Sequence, residues 1–179
     1  GIIYLGLGAA CQGGLYFRLK WQGALASVCI FITVLYLIAL RASSGLEVIL
    51  WLISIVVLKD VLGYFVGRVI KGPKFWPSVS PKKTWSGVLA GWLGSGICGW
   101  LWVSYGSLPL SAGGAIFFSG ALAFASQIGD IGESALKRRA DQKDSSNLLP
   151  GHGGFLDRFD GLVGATIVFV AANMFMSLG

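Results

Sequence analysis

Apolar residues run through this chain in long blocks rather than in alternation. Six blocks stand out, at about 2–17, 21–40, 46–66, 86–105, 109–129 and 161–178. A helix that crosses the hydrocarbon core of a bilayer needs roughly 20 apolar residues, so each block predicts a transmembrane helix. The first block is the least regular, being short and holding Gln12 and several glycines. The third carries Lys59 and Asp60 near its middle, and only a short link from Gly106 to Pro109 separates the fourth from the fifth. The expected fold is therefore all-α, a polytopic transmembrane bundle of about six spans. It forms one integral-membrane domain over residues 1–179.

Composition agrees with the pattern. The chain is 55% hydrophobic and 12% charged, where a soluble domain carries about 25% charged residues. Its 27 glycines fall mostly inside or at the ends of the apolar blocks, as in GWLGSGICGW and SAGGAIFFSGALA. Small residues let transmembrane helices approach closely. Cys11, Cys29 and Cys98 sit in apolar surroundings without a C-x-x-C pairing and read as small buried residues. No basic stretch precedes the first apolar block, so no cleavable signal peptide is expected. The first residue is Gly rather than Met, and the chain is read as beginning partway through a longer one.

Charge adds an orientation. Twelve of the 14 Lys and Arg residues fall in three loops: Arg18 and Lys20 after the first block, Arg68 to Lys83 after the third, and Lys137 to Arg158 after the fifth. Arg41 lies on the opposite side and Lys59 within a span. This asymmetry places both large polar loops on the cytoplasmic face and both termini on the other. The net charge of +6 suits an anionic leaflet and anionic substrates. Nucleic acid is not an expected partner, because the basic residues are divided by membrane spans and form no recognition module.

Each large loop has its own chemistry. The first, GRVIKGPKFWPSVSPKKTWSG, holds three prolines and cannot be helical throughout. In it, Ser80 and Thr84 flank Lys82 and Lys83 at the expected start of the fourth helix, a set suited to phosphate oxygens. Lys71 and Lys74 read as topology determinants. The second stretch, Ser134 to Asp160, packs nine of the chain's 22 charged residues and its only histidine into 27 positions. Asp130 and Ser134 are four apart and share a helix face; Asp157 and Asp160, three apart, share another. Two such faces can hold one or two hard cations such as Mg²⁺ between them. Glu133 points partly away and reads as a solvated helix residue. His152 and Gly153 lie in PGHGGF, where free backbone N–H groups can meet an anion; His152 is not assigned as a metal ligand. Asp60 is an intramembrane carboxylate and so a functional candidate. Its neighbour Lys59 is adjacent in sequence, which argues against a simple ion pair on one helix face.

These residues resemble a known family. The run SALKRRADQKDSSNLLPGHGGFLDRFD, Ser134 to Asp160, is similar to the C-terminal signature of phosphatidate cytidylyltransferases (CDP-diacylglycerol synthases), with its Ser, Lys-Arg pair, Lys-Asp, and H-G-G-x-x-D-R-x-D at matching spacing. KDVLGYFVGR, Lys59 to Arg68, and SPKKTWSG, Ser80 to Gly87, resemble the family's Asp-containing span and its lysine loop. The motif-bearing part is therefore 59–179; residues 1–58 are similar only in hydropathy. Bacterial members carry further N-terminal spans, which again implies a longer natural chain.

The resemblance implies that CTP and phosphatidic acid combine to give CDP-diacylglycerol and pyrophosphate. It implies Mg²⁺, with a second cation such as K⁺ beside it, held at Asp130, Ser134, Asp157 and Asp160. Lys82, Lys83, Lys137, Arg138, Lys143 and Arg158 would contact phosphates, and Asp144 would orient its neighbours. Asp60 and Arg68 would also face substrate. The implied setting is a bacterial inner membrane with a cytoplasmic active site and membrane lipids around it; Gly- and Trp-rich spans suit a homodimer. Two other readings compete. A CTP-dependent kinase of a polyprenyl or phytyl alcohol would release CDP instead of pyrophosphate. A transporter would use Asp60 and Asp130 along a path, but would leave the K-K-T and H-G-G stretches without a role.

Overall fold

A computed structural model of the chain describes residues 21–106, 108, 110–139 and 160–177. In order these form α1 (Trp21–Ser43), α2 (Gly45–Val69), β1 (Lys74–Trp76), β2 (Ser80–Thr84), α3 (Trp85–Tyr105), α4 (Ala112–Arg139) and α5 (Asp160–Ser177). The architecture is that of a helical membrane protein. Among the described residues α2, α3 and α4 are long and apolar enough to cross a bilayer, and α1 and α5 contribute shorter apolar stretches. The first expected block, 2–17, lies outside the described residues. Large apolar side chains such as Leu93 and Phe117 are 71% and 79% exposed on the outer surface, as suits lipid-facing positions.

The helices pack where side chains are small. A Cβ at Gly87 would strike the carbonyl oxygen of Gly63 and lie 3.1 Å from Cα of Gly67, so α2 and α3 cross almost backbone to backbone. Gly99 meets Ser119 and Ala115 on α4 in the same way. Gly129 on α4 and Gly164 on α5 form a third close crossing, each Cα about 3 Å from the other's added Cβ. The apolar core is built on Trp51, Leu52, Ile55, Leu122, Ala165 and Phe169. Trp51 stacks edge-on against Phe169 and donates its indole N–H to Ser119 Oγ at 3.2 Å, so its one polar atom is satisfied within the bundle.

The proline-rich loop is a short antiparallel hairpin, not irregular chain. β1 and β2 pair with Lys74 opposite Thr84 and Trp76 opposite Ser80, with an irregular register between. With two strands, both are edges, and Pro81 in β2 is tolerated there. Helix α2 ends at Lys71 (φ 58) and Gly72 (φ 112), both in the left-handed region. Lys71 holds this conformation with its carbonyl oxygen accepting from Ser86 Oγ at the start of α3. Thr84 caps α3, its hydroxyl accepting from Gly87 N–H at 3.4 Å, and the Phe75 and Trp85 rings pack edge to face at 4.6 Å. The hairpin is thereby clamped over the joint between α2 and α3.

One expected boundary is corrected. The fifth apolar block ends near residue 129, yet α4 continues to Arg139. No proline interrupts that stretch, and Glu133 and Lys137, four apart, stand 3.5 Å from each other and support the extra turns.

Candidate functional site

The C-terminal part of α2, the hairpin, the C-terminal part of α4 and the first turn of α5 meet at one end of the bundle. Asp130 is the centre of this meeting. It is buried, and its Oδ2 accepts from Lys59 Nζ on α2 at 2.6 Å and from Lys83 Nζ on β2 at 2.8 Å. Lys59 Nζ also lies 3.0 Å from Asp60 Oδ1. The backbone of α5 enters here: a Cβ added at Gly161 would stand 2.6 Å from Asp130 Oδ1, 2.6 Å from Ser126 Oγ and 3.4 Å from Lys59 Nζ. Three helices and the hairpin therefore converge on one carboxylate, and a side chain at Gly161 would have to displace Asp130 Oδ1 and Ser126 Oγ.

Asp160, the first residue of α5, accepts from the N–H of Gly161 at 2.7 Å and lies beside the Glu133 side chain. A carboxylate at a helix N-terminus is favoured by the helix dipole. Glu133 is not the solvated residue that helical spacing suggests: it is buried, between Asp160 and Lys137.

Outside this knot a cleft of about 660 Å³ opens between α2, the hairpin and α3. Its walls carry Lys59, Arg68, Lys71, Lys74, Lys82 and Lys83 against one acid, Asp60. Such an excess of cation suits a polyanion with several phosphates. Lys71 and Lys74, read from sequence as topology determinants, thus also line the site. Arg68 donates to the Tyr64 hydroxyl at 2.7 Å, which steadies its guanidinium at the rim. Thr84 lines the cleft as well as capping α3, whereas Ser80 stands at the far end of β2 opposite Trp76.

The structure brings together Asp60, Lys83, Asp130 and Asp160 among the residues singled out from sequence. Ser134 lies one turn beyond Asp130 on α4, Lys137 turns toward Glu133, and Arg138 is exposed near the end of α4. Lys143, Asp144, His152, Gly153, Asp157 and Arg158 lie outside the described residues. Lys59 was legible as an intramembrane charge but was given no role, because adjacent residues do not share a helix face; in the structure it nonetheless pairs with Asp60. A buried lysine can reach past its own turn, and this one does.

The oxygen donors suit a hard cation. Asp130 Oδ1 and Ser126 Oγ are buried, have no hydrogen-bond partner among the described residues, and converge on the head of α5 beside Asp160. Among the described residues no group of three or more His, Cys, Asp or Glu side chains is spaced to hold a metal by itself. The remaining expected carboxylate, Asp157, belongs to the segment outside them.

Fold and site together define a helical membrane protein with a cationic, carboxylate-backed cleft at one end of its bundle. Residues 14–176 match the model of the cytidylyltransferase family, and the chain belongs to that family. It is 46% identical over 123 residues to the phosphatidate cytidylyltransferase of Brucella abortus biovar 1 (strain 9-941), covering 68% of this chain and 44% of that protein. Identity to the phosphatidate cytidylyltransferase of Bacillus subtilis (strain 168) is 39% over 116 residues, 65% of this chain and 43% of the relative. To that of Helicobacter pylori (strain ATCC 700392 / 26695) it is 37% over 134 residues, 75% and 50%. The chain spans about half the length of the curated relatives it matches.

Proposed function

We propose that the protein joins CTP and phosphatidic acid to give CDP-diacylglycerol and pyrophosphate, at the cytoplasmic face of a bacterial inner membrane. The observation that carries this reading is the cleft walled by six cationic side chains, two of which, Lys59 and Lys83, are held from behind by the buried Asp130. The family membership and the names of the relatives point the same way.

The chemistry follows from charge. An oxygen of the lipid phosphate attacks the α-phosphorus of CTP, the bond to the β-phosphate oxygen breaks, and pyrophosphate leaves with the electron pair. The lipid phosphate is largely ionised at neutral pH, so no strong general base is required. The obstacle is the approach of one anion to another. Lys82, Lys83, Lys71 and Lys74 neutralise the triphosphate from the hairpin side, and Arg68 closes the rim. Lys143 and Arg158 add charge from the segment between α4 and α5, with Lys137 and Arg138 at its start, Asp144 orienting them, and the backbone around His152 and Gly153 meeting a phosphate. Asp130, Ser134, Asp157 and Asp160 would hold Mg²⁺, with a second cation such as K⁺ beside it, supplying charge neutralisation of the polyphosphate. The full arrangement has about six spans in this chain, membrane lipids at its flanks and a homodimer as its assembly.

The test is product identity. Protein in detergent micelles with phosphatidic acid, CTP and Mg²⁺ should release pyrophosphate. Release of CDP on a polyprenyl alcohol instead would establish the kinase reading, and neither product would contradict both.

A further inference from the structure

Lys59 is the most buried charged side chain among the described residues, 2% exposed, and it sits inside a membrane-spanning helix. A lysine at that depth is costly unless its charge is balanced. Here it is balanced twice, by Asp130 Oδ2 at 2.6 Å and by Asp60 Oδ1 at 3.0 Å. Its route to that position is built into the fold. A Cβ at Gly91 on α3 would lie 3.2 Å from Lys59 Cγ and 2.8 Å from its carbonyl oxygen, so the glycine leaves room for the lysine stem to pass along the crossing. On its far side the ammonium faces the backbone of Gly161, where α5 begins.

The consequence is asymmetry in Asp130. Its Oδ2 is taken by two ammonium groups, while Oδ1 is buried with no hydrogen-bond partner among the described residues and points at the head of α5. Lys83 is 30% exposed and belongs to the hairpin, free to answer to whatever enters the cleft; Lys59 is enclosed. We propose that Lys59 is a positioning residue, a covalently tethered monovalent cation that holds Asp130 and Asp60 together and fixes which Asp130 oxygen faces the reacting groups. A loose monovalent ion between those two carboxylates would supply the same charge, but without the link to α2.

The proposal rests on the cytidylyl-transfer reading only for its activity readout. Lys59→Met should remove the ammonium and keep the apolar stem. Turnover should fall about 10- to 100-fold, as when a group that orients a ligand is lost. Small cations should refill the vacated position, so ammonium or potassium chloride should recover part of the loss and choline chloride, too large to enter, none. Melting of the detergent-solubilised protein in Mg²⁺-free buffer should show the same order of salts for Lys59→Met, and no order for the wild type. This second readout stands even if the protein catalyses another reaction. Wild-type turnover in Lys59→Met, or equal effects of all three salts on both readouts, would overturn the proposal. Should Lys59→Met fail to insert, Lys59→Gln, one atom shorter and carrying a neutral donor, should show the same salt order. Failure of both to fold even in ammonium would make Lys59 a folding element only and would overturn it equally.

Discussion

At the scale of single residues the site is a set of charges whose burial differs. Lys83 reaches Asp130 at 2.8 Å and is partly enclosed, whereas Lys82, its neighbour on β2, points into the open cleft. A charge-assisted contact is worth about 1.5–3 kcal/mol, so Lys83→Ala should lower turnover by about 10- to 150-fold, measured as kcat/KM for CTP. Lys82→Ala should cost less, because water screens an exposed charge. Equal, small losses at both would reduce the hairpin to a source of general positive potential. The motif residues were legible one at a time: Asp130, Asp160, Lys83 and Asp60 were all singled out by type and spacing. Lys59 and Glu133 were not, because helical periodicity says which residues share a face but not how far a long side chain reaches across it.

At the scale of elements, close backbone crossings hold the site together. Gly87 touches Gly63 and Gly67, and no larger residue fits without parting α2 from α3, which would move Lys59 and the hairpin relative to each other. Gly87→Ala should destabilise by about 1–3 kcal/mol, the usual range for overpacking, and should lower activity with it. Gly120→Ala is the control: nothing lies within 4 Å of its added Cβ, so the alanine should be neutral or raise the melting temperature by virtue of its helix propensity. A melting series in detergent checks both, and equal effects would refute the crossing as a constraint. The helices themselves were readable from apolar length, with α1 to α5 matching five of the expected blocks. The run of α4 past its apolar block was legible as far as Ser134, from the spacing of Asp130 and Ser134 on one face, but its last turn to Arg139 was not. Nor was the hairpin, whose strands of three and five residues are too short to show a period.

At the scale of the whole molecule, chain reversals bring the end of α2, the hairpin, the end of α4 and the start of α5 to one pole. That pole carries most of the basic residues, as positive-inside orientation demands. In a background without native cysteines, Lys74→Cys and Arg138→Cys should be labelled by an impermeant thiol reagent from the cytoplasmic side. Tyr105→Cys, at the opposite end of α3, should be labelled from the other. Labelling of Lys74→Cys and Arg138→Cys from opposite sides would break the site in two. On the proposed function, Asp130, gripped by Lys59 and Lys83, organises cytidylyl transfer at this pole. The most direct measurement is formation of CDP-diacylglycerol from phosphatidic acid and CTP labelled at its α-phosphorus, comparing wild type with Asp130→Asn at matched, correctly inserted protein. Label should appear in the lipid for the wild type and none above background for Asp130→Asn, which keeps the shape of the side chain and loses its charge. Labelled lipid at a comparable rate from Asp130→Asn would contradict this role of Asp130.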